Sequence, residues 1–192
     1  MGGLDLRLPS SLIPEVIRIH TPTKVADEYY LAITSGGTPD ISLPRPLPKW
    51  GNKRFSLRKV FDGLYLASEK KTAICEVWDA QNQSLLVNLY IVQVQADKVF
   101  DLRPPKLQAG LELFKDCFGL ANPSRRQDRD YVAWQYLAYA IWSSGFNGVI
   151  WKSARYAGDS LCLYRRGENS SIGPAQLLQR EVNVEEWLNE NP

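Results

Sequence analysis

Gly63-Leu64-Tyr65-Leu66-Ala67-Ser68, followed by Thr72-Ala73-Ile74-Cys75-Glu76, is the stretch on which the reading of this chain turns. Val60 to Ala67 has the apolar and aromatic character of a strand. Residues 69–80 read as a helix, with Ser68 as its N-cap and Ala73, Ile74, Val77 and Trp78 on its inner side. Arg54 opens the same segment, and the Arg54–Tyr65 and Tyr65–Glu76 gaps are both 11 residues. A strand followed by a helix can bring an Arg, a Tyr and a Glu so placed into one cleft. A guanidinium suits a phosphate or pyrophosphate. A carboxylate suits positive charge developing on a sugar ring. Together they are what cleavage of a nucleotide cofactor at its glycosidic bond would need.

Working outward, residues 15–20 alternate and read as a short strand. Residues 24–33 read as a helical turn or two, because Tyr29, Tyr30 and Ile33 share a face at helical spacing. Gly36-Gly37 and Pro39, Pro44, Pro46 and Pro48 make 34–53 a loop, long enough to be a lid or insertion. Leu85 to Val94 is apolar on both faces and reads as a central strand. Lys98 to Leu102 reads as a separate short strand before Pro104-Pro105, and 106–118 as a helix. Residues 128–144 leave few polar positions and form a core helix, with Gly145 as its stop. Val149-Ile150-Trp151 and Leu161 to Tyr164 are two further strands, joined through Ser153-Ala154-Arg155. Asn183 and Glu186 stand at capping-box spacing at the start of a last helix near 183–190. Strands and helices mix without regular βαβ alternation, which favours an α+β fold.

The 192 residues suit one domain, with its core at about 15–165, the proline-rich loop at 34–53 and a C-terminal extension at 174–192. With 23 basic and 21 acidic residues the net charge is +2, no footprint for nucleic acid; Arg125, Arg126 and Arg129 read as a solvated loop. No apolar run is long enough for a membrane span, and Asp5 interrupts any secretory leader. Cys75, Cys117 and Cys162 are odd in number and sit in apolar surroundings, as reduced, buried thiols of a cytoplasmic protein do. His20 is the only histidine, so a multi-histidine metal site is excluded, and no metal is expected. In the alternating Val16-Ile17-Arg18-Ile19-His20 it reads as a strand residue. Catalysis therefore falls to carboxylate, guanidinium, phenol and hydroxyl groups.

In order along the chain, Arg54-Phe55-Ser56, Leu64-Tyr65-Leu66-Ala67-Ser68, Thr72-Ala73-Ile74-Cys75-Glu76, Gly145-Phe146-Asn147-Gly148-Val149-Ile150-Trp151-Lys152-Ser153 and Leu161-Cys162-Leu163-Tyr164 resemble the RES domain family. That family is named for its Arg, Glu and Ser, and Arg18-Ile19 resembles its early Tyr-Arg-Ile. The similarity spans roughly 15–165 and implies an ADP-ribosyltransferase-like arrangement of mixed strands around an NAD cleft. The resemblance places the functional Arg on Arg54, the Tyr on Tyr65, the Glu on Glu76 and the Ser on Ser153. A further family Asn falls on Asp159 or Ser160, and Lys53, Phe55 and Ser56 depart from the family's Gly, Trp and Asn.

The resemblance implies an NAD glycohydrolase or phosphorylase, the toxin of a toxin–antitoxin pair, with NAD as substrate and phosphate as co-substrate in the phosphorolytic case. It also implies an Xre-like antitoxin partner that occludes the cleft, and it is compatible with a homodimer. The alternatives are a protein-directed ADP-ribosyltransferase and a non-catalytic nucleotide- or partner-binding module. In the catalytic reading Glu76 stabilises the cationic transition state and Arg54 forks onto the pyrophosphate. Tyr65 stacks on or hydrogen-bonds the ribose, while Ser153, with Ser160, donates to phosphate or ribose. Arg155 is a second phosphate ligand. Against these stand plainer roles: Glu76 as a surface acid, Tyr65 as core packing, Arg54 paired with Asp62, and Ser153 as a turn residue.

Overall fold

The computed structural model describes residues 15–35, 61, 63–77, 85–105, 107, 131–153, 155–164, 170–172 and 175–191. Arg54, Asp62, Cys117, the arginine cluster at 125–129, the loop beyond Ser35 and the helix read at 106–118 (Leu107 apart) lie outside the described residues.

The described elements are α1 (Glu15–Arg18), β1 (Thr23–Thr34), β2 (Gly63–Ala67), α2 (Lys70–Val77), β3 (Leu86–Asp101), α3 (Tyr131–Ser143), β4 (Gly148–Lys152), β5 (Asp159–Tyr164), β6 (Ser170–Ile172), β7 (Gln176–Asn183) and α4 (Val184–Glu190). They form an α+β fold on one mixed sheet of seven strands. The β3–β4 pairing is parallel and every other is antiparallel. The pairings β1–β2, β2–β5, β5–β4, β4–β3 and β3–β1 close a ring. One apolar cluster takes Val25, Leu64, Val94, Val99, Ile150 and Leu163 from all five ring strands, so it fills the ring's interior. Outside the ring, α3 packs Leu137 and Ile141 against Phe100, Val149 and Tyr164. On another flank α2 packs Ala73 and Ile74 against Ala32, Leu89 and Val184. No helix among the described residues is long and apolar enough to cross a membrane.

Three local readings are corrected. Residues 24–33 are strand, not helix, and pair with β3 from Thr23↔Val99 to Thr34↔Val87. Asp27, on the inward parity between Val25 and Tyr29, is exposed, so buried positions recur four apart and imitate a helix. Residues 15–18 are a helical turn, not a strand, closed by Ile19 N–H to the Glu15 carbonyl at 3.0 Å. Glu15 at its start and Arg18 at its end suit the helix dipole. The strands read at 85–94 and 98–102 are one. Across from Thr23 and Val25, β3 carries one extra residue between Ala96 and Val99. Such a bulge switches the inward parity, which the sequence displays as a break.

Other readings hold. The strands 149–151 and 161–164 and the core helix are present, and Gly145 ends α3 at φ 93°, a conformation that favours glycine. Asn183 caps α4 by accepting from the Glu185 and Glu186 N–H groups. The C-terminal segment adds β7 to β3, from Leu86↔Asn183 to Ile91↔Gln176.

Candidate active site

Glu76 ends up where two strand ends meet a helix. The apolar face of α2 fixes its rotation: Thr72, Ala73 and Ile74 are buried against the sheet, leaving Glu76 in the last turn toward β4 and β5. Ser68 lies two residues before α2 rather than at its cap. Glu69 holds the cap position by accepting the Ala73 N–H at 3.0 Å, and Ser68 Oγ instead accepts the Asp159 N–H at 2.8 Å. A carboxylate in the last turn faces the negative end of the helix dipole, at a cost of about 0.3–1 kcal/mol. Something other than helix stability accounts for an acid there.

Its partners are hydroxyls. Ser153 Oγ donates to Glu76 Oε1 at 2.8 Å, and Ser160 Oγ donates to the same oxygen at 3.1 Å. Strand alternation explains why both reach it. Trp151 pairs with Ser160 and Val149 with Cys162 in the β4–β5 ladder, and Cys162 pairs with Tyr65 in the β2–β5 ladder. Paired residues share a face, so Tyr65, Trp151, Ser160 and Ser153 all project to the side away from the ring's interior. Tyr65 and Trp151 meet edge-on there, with ring centroids 6.3 Å apart. Ser160 is buried, while Glu76, Ser153 and Tyr65 are half-buried.

Arg155 borders the site. Its backbone N–H donates to Ser153 Oγ at 3.1 Å, and its guanidinium reaches the Cys75 carbonyl at 3.2 Å. Burial pushes the Cys75 thiol above its ordinary range, with Lys71 opposing and the Glu76 charge adding to the rise. Cys162 is buried, and neither Cys75 nor Cys162 is in a disulfide.

Of the candidate residues, the fold thus gathers Ser153 and Ser160 around one oxygen of Glu76, sets Arg155 against Ser153, and places Tyr65 on the same face of the sheet. Arg54 is outside the described residues. Between Asp159 and Ser160, it is Ser160 that faces Glu76. Asp159 turns the other way and pairs with Arg103 Nη1 at 2.8 Å and Lys152 Nζ at 2.7 Å. Arg103 also forks onto Asp101, through Nε at 2.8 Å and Nη2 at 2.6 Å. Sequence reasoning missed this ionic group, whose members are scattered over 101–159. It also missed Gly158 and Thr72, which pack so tightly that a Cβ at 158 would lie 2.3 Å from Thr72 Oγ1. The Thr four residues before the Glu was visible as a motif residue, but nothing in the sequence paired it with Gly158.

Three comparisons with known proteins bear on this arrangement. No curated protein gives a match. Among solved structures, a chain of the crystal structure of the M. tuberculosis MbcT–MbcA toxin–antitoxin complex shares the fold. Its TM-score is 0.63 at 15% identity, over 91% of this chain and 94% of that one. The RES domain pattern matches residues 21–179, which include Tyr65, Glu76, Ser153 and Ser160. The chain belongs to the RES domain family.

Proposed function

We propose that this protein consumes NAD by breaking the bond between nicotinamide and ribose, and that it acts as the toxin of a toxin–antitoxin pair. One observation carries the reading: Glu76, at the unfavourable end of α2, has its carboxylate oxygen engaged by Ser153 and Ser160. An acid held by exchangeable hydroxyl partners can trade them for ribose hydroxyls. It can also meet the positive charge that builds on the ribose as the bond lengthens. The bonding electron pair leaves with the nicotinamide nitrogen, and water or phosphate then attacks the cationic sugar carbon and releases a proton. Electrostatic stabilisation of that kind is commonly the largest catalytic contribution, about 3–4 kcal/mol per group removed. Tyr65 supplies an aromatic ring on the same face of the sheet, and Ser153 and Ser160 orient the carboxylate. Neither serine is cast as a nucleophile: in this reading the Glu76 carboxylate serves the cationic ribose, and the two hydroxyls hold it in place. Arg54, from the family pattern, takes the pyrophosphate.

The fold shared with a chain of a toxin–antitoxin complex supports an antitoxin partner here; the Xre-like type, and a seat over the cleft, follow from the family resemblance. The deciding experiment incubates the purified protein with NAD, with and without phosphate, and identifies the products. Nicotinamide with ADP-ribose marks hydrolysis, and nicotinamide with a phosphorylated ADP-ribose marks phosphorolysis. Thermal stabilisation by NAD with no nicotinamide released would replace this reading with that of a binding module.

A further inference from the structure

We infer that Gly158 is a positioning residue, whose packing against Thr72 sets the distance at which Ser153 and Ser160 reach Glu76. Its kinetic consequences rest on the proposed NAD chemistry; its structural consequence does not.

The connection from β4 to β5 runs antiparallel along α2. Asp159 exchanges two hydrogen bonds with Ser68, its N–H to Oγ at 2.8 Å and its carbonyl from the Ser68 N–H at 2.9 Å. Tyr156 lies under Lys71 Nζ, 4.6 Å from the ring centroid. Arg155 reaches the Cys75 carbonyl, and Ser153 reaches Glu76. Ser68, Lys71, Thr72, Cys75 and Glu76 follow the three- and four-residue spacing of one helical face. The connection therefore docks on α2 through Ser153, Arg155, Tyr156 and Asp159, and Gly158 lies between the last two of these against Thr72.

A Cβ at 158 would lie 2.3 Å from Thr72 Oγ1, 3.0 Å from Ser68 Oγ and 3.2 Å from Thr72 Cβ. Thr72 is fully buried and β-branched, so it has little freedom to turn aside. Among the described residues only Gly145 and Glu181 have positive φ, so Gly158 is glycine for room and not for backbone conformation. Its carbonyl accepts the Ser153 N–H at 3.0 Å, and Ser160 follows two residues later. Any group that lifts residue 158 off α2 therefore moves both hydroxyls away from Oε1 together. Displacements on the order of an ångström in such a site cost about a hundredfold in rate.

The test is Gly158→Ala, alone and with Thr72→Ala, which removes the oxygen that blocks it. Nicotinamide release by Gly158→Ala should fall at least about tenfold in kcat, with KM little changed, and the double variant should recover most of the loss. A single variant with wild-type kcat, or a double variant no better than the single, overturns the inference. If Gly158→Ala does not fold, the double variant alone decides: kcat near wild type supports the inference, and a loss beyond tenfold defeats it. If the wild type releases no nicotinamide, the functional reading fails by itself. Amide hydrogen exchange at Ser153 and Asp159 then decides, faster in Gly158→Ala and restored in the double variant if Gly158 holds the connection, unchanged if it does not.

Discussion

Asp159 and Ser160 are neighbours in the chain but point to opposite faces of β5, and the two faces treat a carboxylate in contrasting ways. On the interior face Asp159 and Asp101 are met by cations. Arg103 bridges both, and Lys152 adds a second contact to Asp159. Burial alone would push the Asp101 carboxyl up, but the side-chain and backbone N–H groups of Arg103 more than offset it and hold the carboxyl below its usual range. Those same bonds hold the Arg103 guanidinium charged. On the outer face the partners of Glu76 among the described residues are hydroxyls. A cation-paired acid is already neutralised and can only brace. A hydroxyl-held acid keeps its charge available to a ligand.

That contrast ranks the variants. Glu76→Gln should lower nicotinamide release by about a hundredfold or more, while stability stays level or rises by up to about 1 kcal/mol as the helix end loses an adverse charge. Lost stability with retained turnover would reverse the roles of the two faces. Ser153→Ala and Ser160→Ala should each cost about tenfold in kcat. The double variant should cost less than the product of the two, because both hydroxyls serve one oxygen. Strict multiplicativity in the same nicotinamide assay would mean that they act separately. Arg103→Met should show the opposite signature. Urea denaturation should report a loss of about 1–2 kcal/mol, kept modest because the guanidinium is about a third exposed, with turnover falling less than in Glu76→Gln. A variant that loses turnover but no stability would place Arg103 in the chemistry.

The same contrast explains what the sequence displays and what it hides. Glu76 was legible through its spacing from Arg54 and Tyr65 and through the RES resemblance; the helix reading alone leaves it a surface acid. Ser153 was legible through the same resemblance; its place at a strand end alone reads as a turn residue. Their meeting is written in the ladder register, Trp151↔Ser160 and Tyr65↔Cys162, which no local pattern encodes. That register also turns Ser160, and not Asp159, toward Glu76. Strand β1 was misread because an exposed Asp27 breaks its period of two, and β3 was cut in half because its bulge shifts the inward parity. In both cases a long-range pairing overrides a local signal. The ionic group of Asp101, Arg103, Lys152 and Asp159 is equally a product of register, and four charged residues spread along a chain look like ordinary solvated surface.

The smallest effect comes from the edge of the braced face, where His20 touches it. Its Nε2 accepts the Asp101 N–H at 3.3 Å, and its ring lies against Phe100 at 4.3 Å and Phe146 at 5.9 Å. The residue is not in a strand; it follows the single turn of α1. Burial lowers its pKa, and the Asp101 carboxylate pulls it back only in part. In the unfolded chain the ring titrates near 6.5. As pH falls through that value the unfolded state therefore takes up the proton first, and stability falls until the folded ring is protonated too. A protonated Nε2 also cannot accept the Asp101 N–H. Asp101 behaves differently: its carboxyl is depressed by Arg103, so its contribution is present above the unfolded value of 3.8 and is lost only at lower pH. The raised groups work at the other end, with burial first among the causes that push the Tyr29 phenol up to about 12. Between pH 7.5 and 5.5 the wild type should thus lose thermal stability, and His20→Gln should lose less. Equal slopes in the two melting series would detach His20 from the acid limb and leave the brace to Arg103 alone.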